Sequence, residues 1–175
     1  MEWSRKTGFS KFGTRTRLLN PNETPLGEAH NIFMNSFSDV LAPILSKTRV
    51  ERATLFLEFY GENSFAGFHE EEQHFLSLFD VSLYKKGFLS PQDFLKMFEN
   101  AVPTPELLHQ GHMTKDIVEM IHDGSLDGMT FEGVVCKAYN SRKKNLTMFK
   151  VKNRAWLEKL KSKCAGDEKM FEHLA

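Results

Sequence analysis

The sequence predicts an α+β domain in which mostly antiparallel sheets are covered by flanking helices. Apolar, strand-like runs alternate with segments of helical spacing, and several of those segments begin with a capping residue. The 175 residues are 41% hydrophobic and include sixteen Phe, which is enough apolar side chain for a sizeable core. We therefore expect one domain over residues 1–163, followed by a tail over residues 164–175.

The first quarter of the chain predicts a hairpin, a loop and a long helix. Lys6-Thr7-Gly8 is typical of a turn between residues 2–4 and a strand that begins at Phe9. Residues 21–27 contain the Pro and Asn of a loop. Residues 29–46 have helical spacing, and Pro43 is expected to kink or shorten that helix.

Two apolar runs, over residues 53–67 and 74–83, predict the next strands. Glu58 lies in the first run, where Leu57 and Phe59 flank it. A carboxylate is costly to bury in so apolar a run unless it has a partner. We therefore expect Glu58 to have a functional role.

Three helices are predicted from their capping residues. Ser90, followed by Pro91 in the first turn, begins one helix. Thr114 begins a second, which ends at Gly124. Asn153 begins a third, which carries the apolar side chains of Trp156, Leu157 and Leu160.

Residues 131–137 and 146–152 predict two strands joined by a polar turn over residues 138–145. Side chains alternate along a strand, so Lys150 and Lys152 point to one face and Phe149 and Val151 to the other. Two ammonium groups about 7 Å apart repel each other unless an anion lies between them, and a triphosphate is the obvious candidate. A solvated lysine face is the alternative for this pattern taken alone.

The formal net charge is zero, but the charge is unevenly distributed. Residues 137–163 contain ten Lys or Arg and one acidic residue, and residues 1–17 contain five and one. The middle of the chain, over residues 18–136, contains seven basic and eighteen acidic residues. We expect the two basic ends to converge on one groove that binds a polyanion. The alternative is a mixed surface on which the charge varies from place to place by chance.

The composition argues against several other classes of protein. Cys136 and Cys164 supply neither a disulfide framework nor a zinc site, which favours a reducing, cytoplasmic location. The sequence does not have the pattern of a signal peptide, so we expect none, and it has no apolar run long enough for a membrane span. His109 and His112 lack a cysteine partner nearby, so a pair in a loop is favoured over a metal site.

The order of several motifs resembles that of the covalent nucleotidyltransferases, which include RNA ligases, ATP-dependent DNA ligases and mRNA capping enzymes. Residues 9–19 (FSKFGTRTRLL) are similar to the strand that follows the nucleophile in phage RNA ligases. There, strand parity puts Lys11, Arg15 and Arg17 on one face. The remaining matches, in chain order, are residues 53–67 to motif III, Phe79-Asp80 to motif IIIa, Glu132-Gly133 to motif IV and Lys150-x-Lys152 to motif V.

The resemblance implies a role for each matching residue. Phe79 would stack on adenine, although an ordinary core Phe beside Leu78 is the alternative. Glu132 would help to hold Mg²⁺, the metal cofactor that accompanies ATP. The other implied roles are ribose contact by Glu58, support of the site by Asp80, α-phosphate binding by Lys150 and Lys152, and phosphate binding by Arg15, with Arg17 less certain.

The lysine nucleophile of the family is missing from this sequence. It lies in a Lys-x-Asp/His-Gly motif, and no such sequence occurs in the 175 residues. Lys6-Thr7-Gly8 is a poor substitute because it lacks the acidic or imidazole residue. We therefore expect an adenylation domain that is incomplete at its N-terminus, whether through truncation, a split gene or degeneration, with a companion chain as one source of the missing strand.

The activity implied by the resemblance is ATP-dependent joining of 5′-phosphate and 3′-hydroxyl ends through AMP intermediates. RNA is preferred over DNA as the partner because the motifs look most like those of phage ligases that seal nicks in duplex RNA. In addition, 23 residues after Lys152 cannot form the oligonucleotide-binding barrel of a DNA ligase. The alternatives are a DNA ligase fragment, and a non-catalytic remnant or partner subunit that binds nucleotide or nucleic acid.

Overall fold

The computed structural model describes residues 1–23, 26–62, 73–143 and 145–174. It is an α+β structure, as the sequence predicts. The chain divides into two compact units. Among the described residues, the first comprises residues 1–23, 26–62, 73–105, 139–143 and 145–146, and the second comprises residues 106–138 and 147–174.

The described part of the first unit is built on a five-stranded antiparallel sheet with the spatial order β2-β1-β3-β4-β5. Gly8, with φ +67°, ends the turn between the first two strands, so the predicted hairpin is confirmed. The strands are β1 (Glu2–Ser4), β2 (Gly8–Lys11), β3 (Arg52–Tyr60), β4 (Phe75–Leu83) and β5 (Gly87–Phe88).

The strand expected over residues 9–19 is interrupted. β2 ends at Lys11, and the chain then turns back, with the Thr14 N–H donating to the Arg17 carbonyl at 2.9 Å. Gly13 permits this turn because a Cβ at that position would lie 2.5 Å from the same carbonyl oxygen. The prediction that Lys11, Arg15 and Arg17 share one strand face is therefore wrong.

Three helices belong to the first unit: α1 (Gly27–Ser36), α2 (Ser38–Lys47) and α3 (Pro91–Phe98). The sequence predicts one helix over residues 29–46, but the structure has two that meet at Phe37. Pro43 lies inside α2. Because proline has no backbone N–H, the carbonyl of exposed Asp39, four residues earlier, lacks its helical hydrogen-bond donor. Of the two expected effects of Pro43, a kink or a shorter helix, the shortening is wrong, because α2 continues past Pro43 to Lys47.

The core of the first unit is formed by these helices and the strands β1, β3 and β4. The side chains with 1% exposure or less include Phe33, Leu41, Leu45, Leu78 and Phe98. Ser90 caps α3 by accepting a hydrogen bond from the Asp93 N–H at 3.1 Å, as predicted. Apolar packing against the core face of β3 and β4 therefore fixes the sheet.

The described part of the second unit contains α4 (Lys115–Asp123), α5 (Arg154–Cys164) and α6 (Glu168–Leu174), with most of the two-stranded sheet of β6 (Gly133–Asn140) and β7 (Asn145–Lys152). The turn between these strands is shorter than predicted, because Ala138–Asn140 belong to β6. The Asn140 side chain accepts hydrogen bonds from the N–H groups of Arg142 and Lys143 at 3.1 and 3.0 Å, which closes the turn.

The capping predictions for the second unit are confirmed. Thr114 accepts from the Ile117 N–H at 3.3 Å, and α4 ends at Gly124 with φ +75°. Asn153 caps α5. Cys164, where the predicted tail begins, is the last residue of α5 and is buried in a small cluster with Trp156 and Leu160. Among the described helices, none is long and apolar enough to cross a membrane.

Candidate functional site

Three charged side chains meet where β6 begins and β7 ends. One carboxylate oxygen of Glu132 pairs with the Lys152 ammonium and lies 3.5 Å from the Lys150 ammonium. The prediction that the two lysines share a face is therefore confirmed. The anion between them is a carboxylate of the chain itself, which offsets their mutual repulsion.

The backbone around Gly133 brings this carboxylate to the lysines. Gly133 has φ +134°, and a Cβ there would collide with the carbonyl oxygen of Val151. On the other side, the Asn153 N–H donates to the Glu132 carbonyl at 3.0 Å. Glycine is therefore required for the close approach that sets Glu132 opposite Lys152.

Lys150 and Lys152 lie in different environments. The Lys152 side chain is 9% exposed, and its ammonium lies 4.1 Å from the centre of the Trp156 ring. The Lys150 side chain is 60% exposed. Lys152 is thus held between a carboxylate and an indole, whereas Lys150 has access to solvent and to a ligand.

In the first unit, Phe79 and Asp80 occupy a β-bulge. Phe56 pairs with Asp80 and the next residue, Leu57, pairs with Leu78, so Phe79 is an extra residue in β4. The bulge leaves Phe79 half-buried, with its ring 6.3 Å from that of Phe56, while Asp80 is only 3% exposed. Phe79 is not one of the buried residues that form the core, which weakens its reading as an ordinary core Phe.

Glu58 is exposed, so the argument that it is a buried carboxylate is wrong. Alternation along β3 puts Ala53 and Leu55 on the core face and Glu58 on the other face. Its apolar neighbours in sequence therefore do not enclose it in space. The buried carboxylate of these two strands is Asp80.

Arg15 lies exposed in the turn after β2. Its neighbour Arg17 pairs with Glu23 at 2.5 Å, and this guanidinium lowers the pKa of the Glu23 carboxyl. Lys11 pairs with Glu2 at 2.8 Å. Of the basic residues in this segment, Arg17 and Lys11 thus already have acidic partners within the first unit.

The predicted site residues are divided between the two units. Glu132, Lys150 and Lys152 lie together in the second unit, and the first unit contains Arg15, Glu58, Phe79 and Asp80. Among the described residues, no group of three or more His, Cys, Asp or Glu side chains is placed to hold a metal ion. His109 and His112 lie in a loop, where the His109 ring contacts the His112 carbonyl at 3.3 Å.

Sequence reasoning missed Trp156 as part of the charged cluster. It predicts Trp156 only as an apolar residue of a capped helix. The sequence feature that points to this contact is the position of Trp156, four residues after Lys152 and three after the helix cap Asn153. From that position the ring can lie over the end of β7.

The fold and the order of these motifs define the class of protein, which is an α+β domain of the ligase type. The family model described as RNA ligase matches residues 5–152, which include all the predicted site residues, and the chain belongs to the RNA ligase family. No individual curated protein matches the sequence at a significant level.

Proposed function

We propose that this chain binds ATP and Mg²⁺ and acts in the joining of 5′-phosphate to 3′-hydroxyl ends of RNA through AMP intermediates. The observation that carries the proposal is the cluster of Glu132, Lys150 and Lys152 in a member of the RNA ligase family. The proposed compartment is the cytoplasm, where the free thiols of Cys136 and Cys164 would stay reduced.

The charged cluster would bind the α-phosphate of the nucleotide. Two ammonium groups and one carboxylate leave a net positive charge, and exposed Lys150 is free to turn from Glu132 towards an arriving phosphate. Lys152 would remain paired with Glu132 beside it. Both ammonium groups would neutralise charge as it develops on the phosphate oxygens in the pentavalent transition state.

Glu132 is also the proposed ligand for Mg²⁺. Its carboxylate is 30% exposed, so a hydrated ion can reach it. Mg²⁺ keeps several waters and usually binds one or two carboxylates together with substrate phosphates. A single carboxylate beside a phosphate site fits that chemistry, and the ion would supply further neutralisation of the phosphates.

The candidate residues of the first unit would bind the nucleoside. The bulge that leaves Phe79 half-buried supports its proposed stacking on adenine. Glu58 is exposed, as contact with a ribose requires. The proposed roles of Asp80 and Arg15 are support of the site and phosphate binding.

We propose that the lysine nucleophile is supplied by another segment or by a companion chain. In the first step of the reaction its amine attacks the α-phosphorus of ATP and pyrophosphate leaves. A 5′-phosphate then displaces the lysine and takes up AMP, and finally a 3′-hydroxyl attacks that phosphate and AMP leaves. The lysine takes part in the first two steps but not in the third.

A second candidate function, nucleotide or nucleic-acid binding without turnover, is favoured by the absence of a Lys-x-Asp/His-Gly sequence. The third step separates the two, because it needs no lysine nucleophile. We expect the chain to seal a nicked RNA duplex that already carries AMP on its 5′-phosphate, with Mg²⁺ and without ATP. Release of AMP and a longer product on a denaturing gel would support the ligase, whereas ATP binding without sealing would support the second candidate.

The same preparation tests for the missing nucleophile. Incubation with Mg²⁺ and α-labelled ATP should leave no label on the denatured chain, because no lysine stands in the family's nucleophile motif. A labelled band at full stoichiometry would contradict this and would point to Lys6 or Lys11 as a substitute.

A further inference from the structure

Lys152 is fixed by Glu132, which belongs to the motifs of the family resemblance, and by Trp156, which lies outside them. Its ammonium pairs with Glu132 and lies over the Trp156 ring at 4.1 Å, and its side chain is nearly buried. A lysine side chain normally has many rotamers, and ordering it on ligand binding costs free energy. Here most of that ordering is already present in the free chain.

Asn153 connects the two partners of Lys152. Its backbone N–H donates to the Glu132 carbonyl at 3.0 Å, and its side-chain oxygen accepts from the backbone N–H of Trp156 at 3.2 Å. Asn153 is only 5% exposed, so water cannot easily replace these bonds. One residue thus fixes both the backbone of the carboxylate and the start of the helix that carries the indole.

The end of helix α4 packs against Asn153. Gly124, at the end of α4, has φ +75°, and a Cβ there would lie 2.5 Å from the Asn153 side-chain nitrogen. Arg154 pairs with Asp123 of α4 and, at 2.7 Å, with Glu119, whose pKa is lowered by that guanidinium. Arg154, the residue after Asn153, therefore joins the start of α5 to the end of α4.

We propose that Trp156 and Asn153 are positioning residues that hold Lys152 in its phosphate-binding orientation. The inference rests on the proposed function, because it takes a nucleotide phosphate as the ligand of Lys152. It assigns different tasks to the two lysines of the motif. The Lys152 ammonium is already in its binding position in the free chain, whereas the Lys150 side chain moves to contact the ligand when it binds.

The first test observes Lys152 directly by NMR of the isotope-labelled chain. An ammonium stem over an indole face has its methylene protons shifted upfield by the ring current, so the Lys152 Hε signals should be shifted and those of exposed Lys150 should not. Trp156→Leu should remove the shift and Trp156→Phe should keep part of it. Lys152 signals at the ordinary position in the unmodified chain, or unchanged in Trp156→Leu, would overturn the proposal.

The second test measures ATP affinity in Mg²⁺ by calorimetry. Trp156→Leu should weaken binding about five- to tenfold, which is the scale of a partly desolvated cation–π contact, and Trp156→Phe should restore most of it. Asn153→Ser keeps an uncharged oxygen that can cap α5 and should stay close to the unmodified chain, whereas Asn153→Ala should behave like Trp156→Leu. Folding of each variant is checked by circular dichroism.

The two tests separate this inference from the proposed function. A chain that shows the shifted Lys152 signals but binds no ATP would retain the positioning by Trp156 and contradict nucleotide binding. A chain that binds ATP equally well in all four variants would retain the function and contradict the positioning role.

Discussion

The two units of the chain hold their candidate residues by different means. In the described part of the first unit, a cluster of sixteen buried residues packs α1, α2 and α3 against the sheet that carries Phe79 and Asp80. In the described part of the second unit the buried cluster consists of Trp156, Leu160 and Cys164. Hydrogen bonds and ion pairs supply the remaining order around Lys152. The stability of the first unit should therefore be sensitive to substitutions that remove apolar volume, and the order around Lys152 to substitutions that remove a charge.

The largest expected effect is the loss of core volume in the first unit. Phe98→Ala should lower the free energy of unfolding by about 3–5 kcal/mol, because Phe98 is fully buried and its removal leaves a cavity. Urea unfolding followed by circular dichroism measures the change. Leu18→Ala, at a side chain that is 68% exposed, is the matched control. Equal effects from both variants would contradict the claim that the first unit depends on its buried apolar volume.

Loss of the shared carboxylate should have the next largest effect. Glu132→Gln leaves nearly buried Lys152 without its counter-charge and should cost about 1–3 kcal/mol, reduced from the value for fully buried pairs because Glu132 is partly exposed. Lys150→Met should cost less than about 1 kcal/mol, since Lys150 is exposed. Unfolding followed by tryptophan fluorescence compares them. A larger cost for Lys150→Met would contradict the difference between the lysines.

Helix caps should contribute to both units on a smaller scale. Ser90→Ala in the first unit and Thr114→Ala in the second should each lower stability by about 1 kcal/mol, because each leaves one N–H at a helix start without its acceptor. Hydrogen exchange of the first turns of α3 and α4 reports the two changes separately. Unaltered protection in either helix would mean that packing alone fixes that end.

The smallest effect should be a pH dependence confined to the first unit. The pKa of His74 is raised by the Glu62 backbone carbonyl and by the Glu28 carboxylate, which lies 2.8 Å from the ring. Protonated His74 thus stabilises the folded state fully below its unfolded pKa, near 6.5, and that stabilisation is lost as the pH rises through the higher folded value.

His74→Gln should therefore reduce stability at about pH 6 and have less effect at about pH 8, as measured by unfolding across this range. The titration of the His74 ring by NMR is the direct check. A ring that titrates at or below the ordinary histidine value would contradict the assigned partners.

Local features of the fold could be predicted from the sequence, whereas the points at which an element is interrupted could not. Ser90, Thr114 and Asn153 act as caps because a cap needs only its own next three residues. The predicted position of Arg15 on a strand face is wrong because side chains alternate only while a strand continues, and the strand ends at Lys11. The break between α1 and α2 at Phe37 is not marked by a proline or a glycine, so the sequence does not indicate it.

The candidate site shows the same limit. The shared face of Lys150 and Lys152 follows from alternation along one strand and was predicted correctly. The bulge at Phe79 depends on the register between β3 and β4, which one strand's sequence does not specify. The contact between Lys152 and Trp156 depends on the angle at which α5 leaves β7, so spacing alone does not predict it.

The central claim is that the cluster of Glu132, Lys150 and Lys152 binds the phosphates of ATP. Calorimetric titration of ATP with Mg²⁺ into the unmodified chain, Lys152→Ala and Lys161→Ala tests it most directly, because Lys161 is an exposed lysine of the same unit outside the cluster. We predict that Lys152→Ala weakens binding by at least about tenfold, the scale of one preorganised charge contact, and that Lys161→Ala binds as the unmodified chain does. The same affinity in all three proteins, or no binding by the unmodified chain, would contradict the claim.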